Sequence, residues 1–183
     1  RTLKERAVLS NFTFMESIHA KTYGTILISL NTFKDIEEIY NWMNNDRRMQ
    51  FKARKINEIY QNGTPMQVKV ASVFLEGILY YSNFFIPLWY RGQNKLANLA
   101  ELIKLVIRDE SVHGTYLGYK FRQDFNELSI TEQENFTNWM YSFLEELLDN
   151  EFAYTEEVYS EIGLVEDIKT FVKYNANKSL QNM

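Results

Sequence analysis

The chain has 183 residues, of which 45% are hydrophobic and 15% aromatic, and a formal net charge of -4. This length and composition suit one domain with a sizeable core, while the acidic balance and the dispersed lysines and arginines exclude a basic surface for nucleic acid. The absence of cysteine excludes disulfides, thiolate zinc sites and thiol nucleophiles, so any metal must be bound by nitrogen and oxygen ligands.

Long stretches without glycine or proline predict an all-α fold, because only seven glycines and two prolines interrupt the chain. The expected helices lie at about 5–30, 34–61, 65–87, 93–126, 130–149 and 164–181. No linker or repeat divides them, so residues 1–183 are expected to form a single domain. The first residues, RTLKERAVLS, lack the apolar core and cleavage site of a secretory signal, which predicts a cytoplasmic protein.

Two helix starts have a recognisable chemistry. In QNGTP at 61–65, an Asn-Gly pair ends one helix, and Thr64 is expected to cap the next with Pro65 in its first turn. In LSITEQE at 128–134, Ser129 or Thr131 can cap a helix whose first turn is acidic.

The segment VASVFLEGILYYSNFFIPLWY at 70–90 is apolar over nearly the length of a membrane span. Glu76, Asn83 and Pro87 interrupt it, so a helix buried in the core of a bundle is the favoured interpretation and no membrane partner is expected. A carboxylate in such surroundings is costly unless it is paired with a cation or binds a metal. Glu76 is therefore a candidate ligand.

Both histidines of the chain follow a glutamate by three residues, as Glu16 with His19 and Glu110 with His113. Residues three apart lie on one face of a helix, so each pair can direct a carboxylate and an imidazole to one point. Bundles that bind two iron or manganese ions use such a pair from each of two helices and one further carboxylate from each of the other two. The doubled spacing and Glu76 together predict a metal site.

Four segments carry a resemblance that extends from end to end of the chain. FTFMESIHAKTYG, FLEGILYYS, RDESVHGTYLGYKF and FVKYNANKSL resemble, in order and separation, the radical-generating small subunit of class I ribonucleotide reductase, most closely the class Ib type. The resemblance implies a ferritin-like four-helix bundle with additional helices.

The resemblance also assigns roles to single residues. The implied ligands of a dinuclear manganese or iron centre are Glu16, His19, Glu76, Glu110 and His113. Tyr23, on the same helical face as the first two of these, matches the tyrosine that is oxidised to a stable radical. Asp109 matches the aspartate that hydrogen-bonds a histidine ligand and relays the radical, although a solvated position or a pair with Arg108 is the simpler alternative. Tyr80 and Phe84 can shield the radical from water or serve only as core.

The resemblance implies a reaction carried out with partners. After oxidation at the metal pair, the tyrosyl radical is passed to a separate large subunit that reduces ribonucleotides to deoxyribonucleotides. Class Ib members are homodimers and are activated either with manganese through a flavodoxin-like protein or with iron and oxygen. Carboxylate and imidazole ligands suit both ions, so the sequence does not select the metal.

The chain departs from the family pattern in two places. The family's sixth ligand, an aspartate, and its relay tryptophan both precede the region that this chain matches, and the family's C-terminal tail follows it. The chain is therefore expected to be the central part of a longer protein, to bind metal incompletely and to associate when made alone. Two other classes stay open: a ferritin-like di-metal oxidase or ferroxidase, which needs no radical tyrosine, and a non-catalytic helical interaction module.

Overall fold

Helices form the whole architecture of residues 2–183, the part of the chain that the computed structural model describes. The long elements are α1 (Leu3–Leu30), α2 (Phe33–Asn45), α3 (Arg47–Asn62), α4 (Pro65–Phe74), α5 (Tyr81–Gly92), α6 (Ala97–Phe125), α7 (Ile130–Tyr159) and α8 (Val165–Asn182). A π-helical turn, Leu75–Leu79, joins α4 to α5, and a 3₁₀ turn, Ser160–Ile162, follows α7. The prediction of an all-α fold is confirmed.

The apolar segment Pro65–Gly92 lies in the middle of the bundle. Helix α6 packs along it, α3 and α7 pack on its first half, and α8 contacts its second half and the π turn. By length and composition the segment also resembles a membrane span, with a mean hydropathy of 1.2, but half of that apolar stretch is buried inside the protein. Val70, Phe74 and Ile78 have no exposed surface, so this segment supplies the centre of the core.

The two expected helix starts are present. Thr64 caps α4 and accepts a hydrogen bond from the Gln67 N–H, with Pro65 in the first turn, and Ser129 rather than Thr131 caps α7. Each cap satisfies amide groups that the first turn of a helix leaves without partners.

Four of the expected helices had wrong boundaries, among them the one expected at 65–87, which extends to Gly92. The helix expected at 34–61 is two helices, because Asp46 caps a new one by accepting a hydrogen bond from the Met49 N–H at 2.8 Å. The helix expected to start at 93 starts at Ala97, after Asn94 and Leu96 adopt left-handed backbone angles. The helix expected to end at 149 continues for another ten residues, to Tyr159.

Helix α1 lies at the edge of the described structure. Among its 28 residues only His19 is fully buried, and α1 packs chiefly against α6. Between α1, α5 and α6 lies a second apolar cluster, centred on Tyr81, Phe84 and Val106, and Tyr23 packs against it. The fold thus brings the two helices that carry the Glu-x-x-His pairs side by side.

Candidate metal centre

The two Glu-x-x-His pairs lie on facing sides of α1 and α6. Within α1, His19 Nδ1 is 3.5 Å from Glu16 Oε1, and within α6, His113 Nδ1 is 3.5 Å from Glu110 Oε2. The three-residue spacing therefore brings each carboxylate and its imidazole to the same point, as helical geometry requires.

The pairs also meet across the helix interface. His113 Nδ1 is 3.2 Å from Glu16 Oε1 and 3.6 Å from Glu76 Oε2, while His19 Nδ1 is 3.2 Å from Glu110 Oε1. One ligand atom from each of four residues lies within 4.8 Å of all the others, namely Glu16, Glu76, Glu110 and His113. His19 stands beside this group and reaches it through Glu110. The structure thus brings all five candidate ligands together.

The polar atoms that face this centre lack hydrogen-bond partners within residues 2–183. The buried atoms without a partner are Glu16 Oε1, His19 Nδ1, Glu76 Oε2, Glu110 Oε2 and both ring nitrogens of His113. Buried polar atoms are normally paired, and an unpaired carboxylate costs more than a neutral group. A set of carboxylate oxygens and imidazole nitrogens that all lack protein partners fits one or two divalent cations.

Burial and mutual repulsion disturb the ionisation of these groups. Burial, together with the charge of Glu110, raises the pKa of Glu76 to about 8. Burial opposes protonation of His113, but the close carboxylates of Glu110 and Glu16 outweigh it and raise the pKa of His113 to about 9. The close imidazole of His113 lowers the pKa of Glu16. Without a cation, protons therefore reside at this centre at neutral pH, as expected where several acids share a site.

Asp109 fixes one of the histidines from outside the centre. Its Oδ2 is 3.2 Å from His19 Nε2, which leaves His19 Nδ1 facing Glu110 and Glu16. Ligating imidazoles commonly make such a hydrogen bond to a carboxylate through the second ring nitrogen. The simpler alternative from the sequence also holds in part, because Asp109 Oδ1 lies 3.8 Å from Arg108 Nε.

Tyr23 is half-buried on α1, one turn beyond His19. Burial raises the pKa of its phenol, and the negative charges of Glu110 and Glu16 raise it further. The phenol therefore keeps its proton at neutral pH. Tyr80 and Phe84, whose ring centroids are 6.0 Å apart, belong to the same apolar cluster as Tyr23.

Two features of the centre were missed in the sequence. The ring of Phe12 lies 4.1 Å from the ring of His113 and covers it from α1. Its position four residues before Glu16 could have indicated this, since residues four apart share a helical face. The π turn that carries Glu76 was also missed. Glu76 has no lysine or arginine partner among the described residues, and its only cationic neighbour is His113.

Comparison with known proteins identifies the family. The sequence matches the family described as ribonucleotide reductase, small chain, over residues 1–183. It is 43% identical over 182 residues to ribonucleoside-diphosphate reductase 2 subunit beta of Escherichia coli and 42% identical over 182 residues to subunit beta nrdF2 of Mycobacterium tuberculosis. These alignments cover 100% of this chain but 57% and 56% of the relatives, so the chain spans just over half their length.

The structural comparison gives the same answer. The fold matches the crystal structure of the dimanganese(II)-NrdF of Streptococcus sanguinis with a TM-score of 0.97 and 57% sequence identity, covering 100% of this chain and 64% of that one. The agreement confirms the expected ferritin-like, small-subunit type of fold. The chain belongs to the ribonucleotide reductase small-chain family.

Proposed function

We propose that this chain supplies the metal-binding and radical-forming part of a ribonucleoside-diphosphate reductase small subunit. Residues 1–183 are a single ferritin-like domain in this proposal. Glu16, His19, Glu76, Glu110 and His113 hold a dinuclear manganese or iron centre, and Tyr23 carries the radical. The radical is then passed to a large subunit that reduces ribonucleotides to deoxyribonucleotides.

One observation carries the proposal: buried carboxylate and imidazole atoms from three separate helical elements converge without protein partners. Glu16, Glu76, Glu110 and His113 offer ligand atoms within 4.8 Å of one another. Keeping such a group together costs free energy unless a cation neutralises it, because like charges and buried acids oppose ionisation. A non-catalytic interaction module has no reason to keep this arrangement.

The residues around the centre have separable tasks. Asp109 accepts a hydrogen bond from His19 Nε2 and so keeps Nδ1 directed at the ligand group. Phe12 packs over the ring of His113, and the cluster around Tyr23 surrounds its ring with apolar side chains. Tyr23 starts as a protonated phenol, so its oxidation to a neutral radical removes one electron and the proton on Oη together.

Bound manganese or iron ions, once oxidised by oxygen or a more reduced oxidant, would supply the one-electron oxidising power that Tyr23 requires. The mixed carboxylate and imidazole ligands accept either ion, and supply and geometry decide between them. Manganese is the first metal to test, because the Streptococcus sanguinis relative at 57% identity is a dimanganese(II) protein.

The proposed partners follow from the class Ib resemblance. They are a second copy of the chain in a homodimer, a large subunit and, with manganese, a flavodoxin-like activating protein, all in the cytoplasm. Exposed apolar side chains on α1 and α6 support association of some kind, since Phe14 is 62% exposed and Val112 is 56% exposed.

A titration with Mn²⁺ followed by electron paramagnetic resonance tests the metal site. Glu76→Gln removes a ligand charge with little change of shape, so we expect the affinity for Mn²⁺ to fall by about tenfold or more. Glu134→Gln makes the same substitution at an exposed position on α7, away from the centre, and should leave the affinity unchanged.

Equal affinities for Mn²⁺ in the two variants would show that Glu76 is not a ligand, and this result would contradict the proposal. Tight Mn²⁺ or Fe²⁺ binding without any tyrosyl radical, in a protein that holds two ions, would instead favour the ferroxidase or di-metal oxidase alternative.

A further inference from the structure

A buried network of charged and polar side chains binds the backbone at the end of the π turn that carries Glu76. Lys52 Nζ on α3 donates to the Leu79 carbonyl at 3.2 Å, and also to Glu151 Oε2 on α7 at 3.0 Å. Ser82, at the start of α5, donates to Glu151 Oε1. Glu151 and Ser82 have no exposed surface, and Lys52 is 9% exposed.

Further contacts involve Asn83, the residue that follows Ser82. Tyr154 on α7 donates from its hydroxyl to Asn83 Oδ1 at 2.9 Å, and the Lys52 ammonium lies 4.6 Å from the centre of the Tyr154 ring. The Asn83 N–H donates to the Tyr80 carbonyl at 3.2 Å, outside the regular α-helical pattern, which would join it to Leu79. Three side chains from two other helices thus fix the exit of the π turn.

The π turn itself needs such support. A π-helical segment is rare, and its wider ring leaves backbone groups out of the regular α-helical ladder. Here the turn sets the direction of Glu76, which lies three residues before Leu79. If the turn relaxed to α-helix, the residues on one side of it would rotate against those on the other by about 100°. Glu76 would then lose its place opposite His113.

Core stability alone does not explain the network. A buried ion pair is often no more stabilising than well-packed apolar side chains of similar size. An apolar side chain at position 52, however, offers no donor to the Leu79 carbonyl. The specific effect of this network is to fix the backbone conformation of the π turn rather than to add much stability.

We infer that Lys52, held by Glu151, to which Ser82 also donates, is a positioning residue that locks the Leu75–Leu79 π turn and so directs the Glu76 carboxylate into the metal centre. The part of this inference that concerns metal rests on the proposed function. The part that concerns the turn does not, because it applies to the protein without any metal.

The test separates stability from positioning with two variants. Lys52→Met leaves the Glu151 carboxylate buried and unpaired, so we expect the Tm to fall by roughly 10 °C. The triple variant Lys52→Met, Glu151→Leu, Ser82→Ala removes the buried charge as well, so we expect most of that Tm to return. Lys55→Met is the matched control, because Lys55 also joins α3 to α7, through Glu146 at 2.7 Å, but on the surface.

Amide hydrogen exchange in the metal-free protein measures the local stability of the π turn directly. In the triple variant we expect amides in Leu75–Phe85 to exchange about tenfold faster than in the parent, while those of α7 change little. The affinity for Mn²⁺ should fall by about tenfold even though the Tm has recovered. The Lys55→Met variant should match the parent in both measurements.

The contrary results are equally clear. A triple variant with parental exchange in Leu75–Phe85, or one that does not fold at all, would overturn the inference, since the network would then serve only the core. A parental affinity for Mn²⁺ despite faster exchange would overturn the link to Glu76. A parent protein that binds no Mn²⁺ would refute the proposed function, and the exchange rates would still decide whether Lys52 locks the turn.

Discussion

At the scale of single residues, protons and metal cations compete for the same side chains of the metal centre. His113 Nδ1 lies 3.2 to 3.6 Å from carboxylate oxygens of Glu16, Glu76 and Glu110. In the metal-free protein this environment raises the pKa of His113 to about 9, and burial raises that of Glu76 to about 8. A metal ion binds only the deprotonated forms, so it must displace these protons.

The affinity for Mn²⁺ should therefore rise with pH. Below about pH 8 both Glu76 and His113 carry protons in the metal-free state, so we expect roughly a tenfold gain per pH unit for each proton displaced. Between about pH 8 and 9 only His113 still contributes, and the slope should halve. Anaerobic Mn²⁺ titrations at several pH values measure this, and an affinity that stays constant from about pH 6 to 8 would contradict it.

One substitution distinguishes the role of Tyr23 from that of the metal ligands. In a form of the protein that holds two metal ions, Tyr23→Phe deletes only the phenol oxygen, so we expect metal affinity within about twofold of the parent and no tyrosyl radical. Tyr80→Phe is the control, because Tyr80 packs in the same apolar cluster as Tyr23 and should leave the radical signal intact. A tyrosyl spectrum that persists without Tyr23 would assign the radical to another residue.

Sequence patterns revealed those site residues whose chemistry is unusual for their position. Glu76 stood out as an acid inside an apolar segment, and the two histidines stood out by their spacing. Glu151 is more deeply buried than Glu76 but lies in an ordinary amphipathic helix, so nothing local distinguishes it from the exposed acids around it. Its partner Lys52 is 99 residues away along the chain, and only the fold brings the two together.

At the scale of elements, the approach of α8 to α6 depends on a glycine. A Cβ at Gly118 would lie 2.3 Å from the Asn182 carbonyl oxygen, whereas one at Gly114, a turn earlier on the same helix, would meet no atom within 4 Å. Both glycines are buried, but only Gly118 is required for the close approach of α8. Gly114 lines a cavity of about 20 Å³ between α6, α8 and the π turn, and Glu110 lies in its wall.

Gly118→Ala should force the end of α8 away from α6. We expect the free energy of unfolding to fall by about 1–3 kcal/mol, because the colliding atoms belong to the backbone and cannot rotate away. Gly114→Ala should be neutral or stabilising by up to about 1 kcal/mol, since alanine favours a helix more than glycine does. Urea unfolding of both variants measures the difference, and equal effects would show that α8 adapts without cost.

Helix starts were easier to predict than helix interiors. Thr64 and Ser129 form capping boxes with Gln67 and Glu132, and these contacts span only three residues of sequence. The π turn has no comparable signal, because its exit is held by Lys52, 27 residues away. The cap at Asp46 was missed for another reason: polar residues surround it, and α2 and α3 continue one amphipathic pattern across it.

At the scale of the whole molecule, the metal centre lies close to the least covered part of the fold. Helix α1 contributes Glu16, His19 and Tyr23, yet His19 is its only fully buried residue. Phe14 and Ile18 of α1 are 62% and 47% exposed. Apolar side chains exposed beside a functional centre are typical of surfaces that contact another segment or another chain. The Glu16 carboxylate is likewise 43% exposed, the highest value among the five candidate ligands.

The 183-residue chain made alone should therefore bind metal incompletely. Bundles of this type use six protein ligands for two ions, and five converge among the described residues. We expect one Mn²⁺ ion per chain to bind tightly and the second weakly, with little or no stable tyrosyl radical and a tendency to associate through the exposed face of α1. Metal analysis after gel filtration, together with electron paramagnetic resonance, measures all three. A monomeric chain with two tightly bound ions and a full radical signal would contradict the expectation, since five side chains would then suffice for the complete centre.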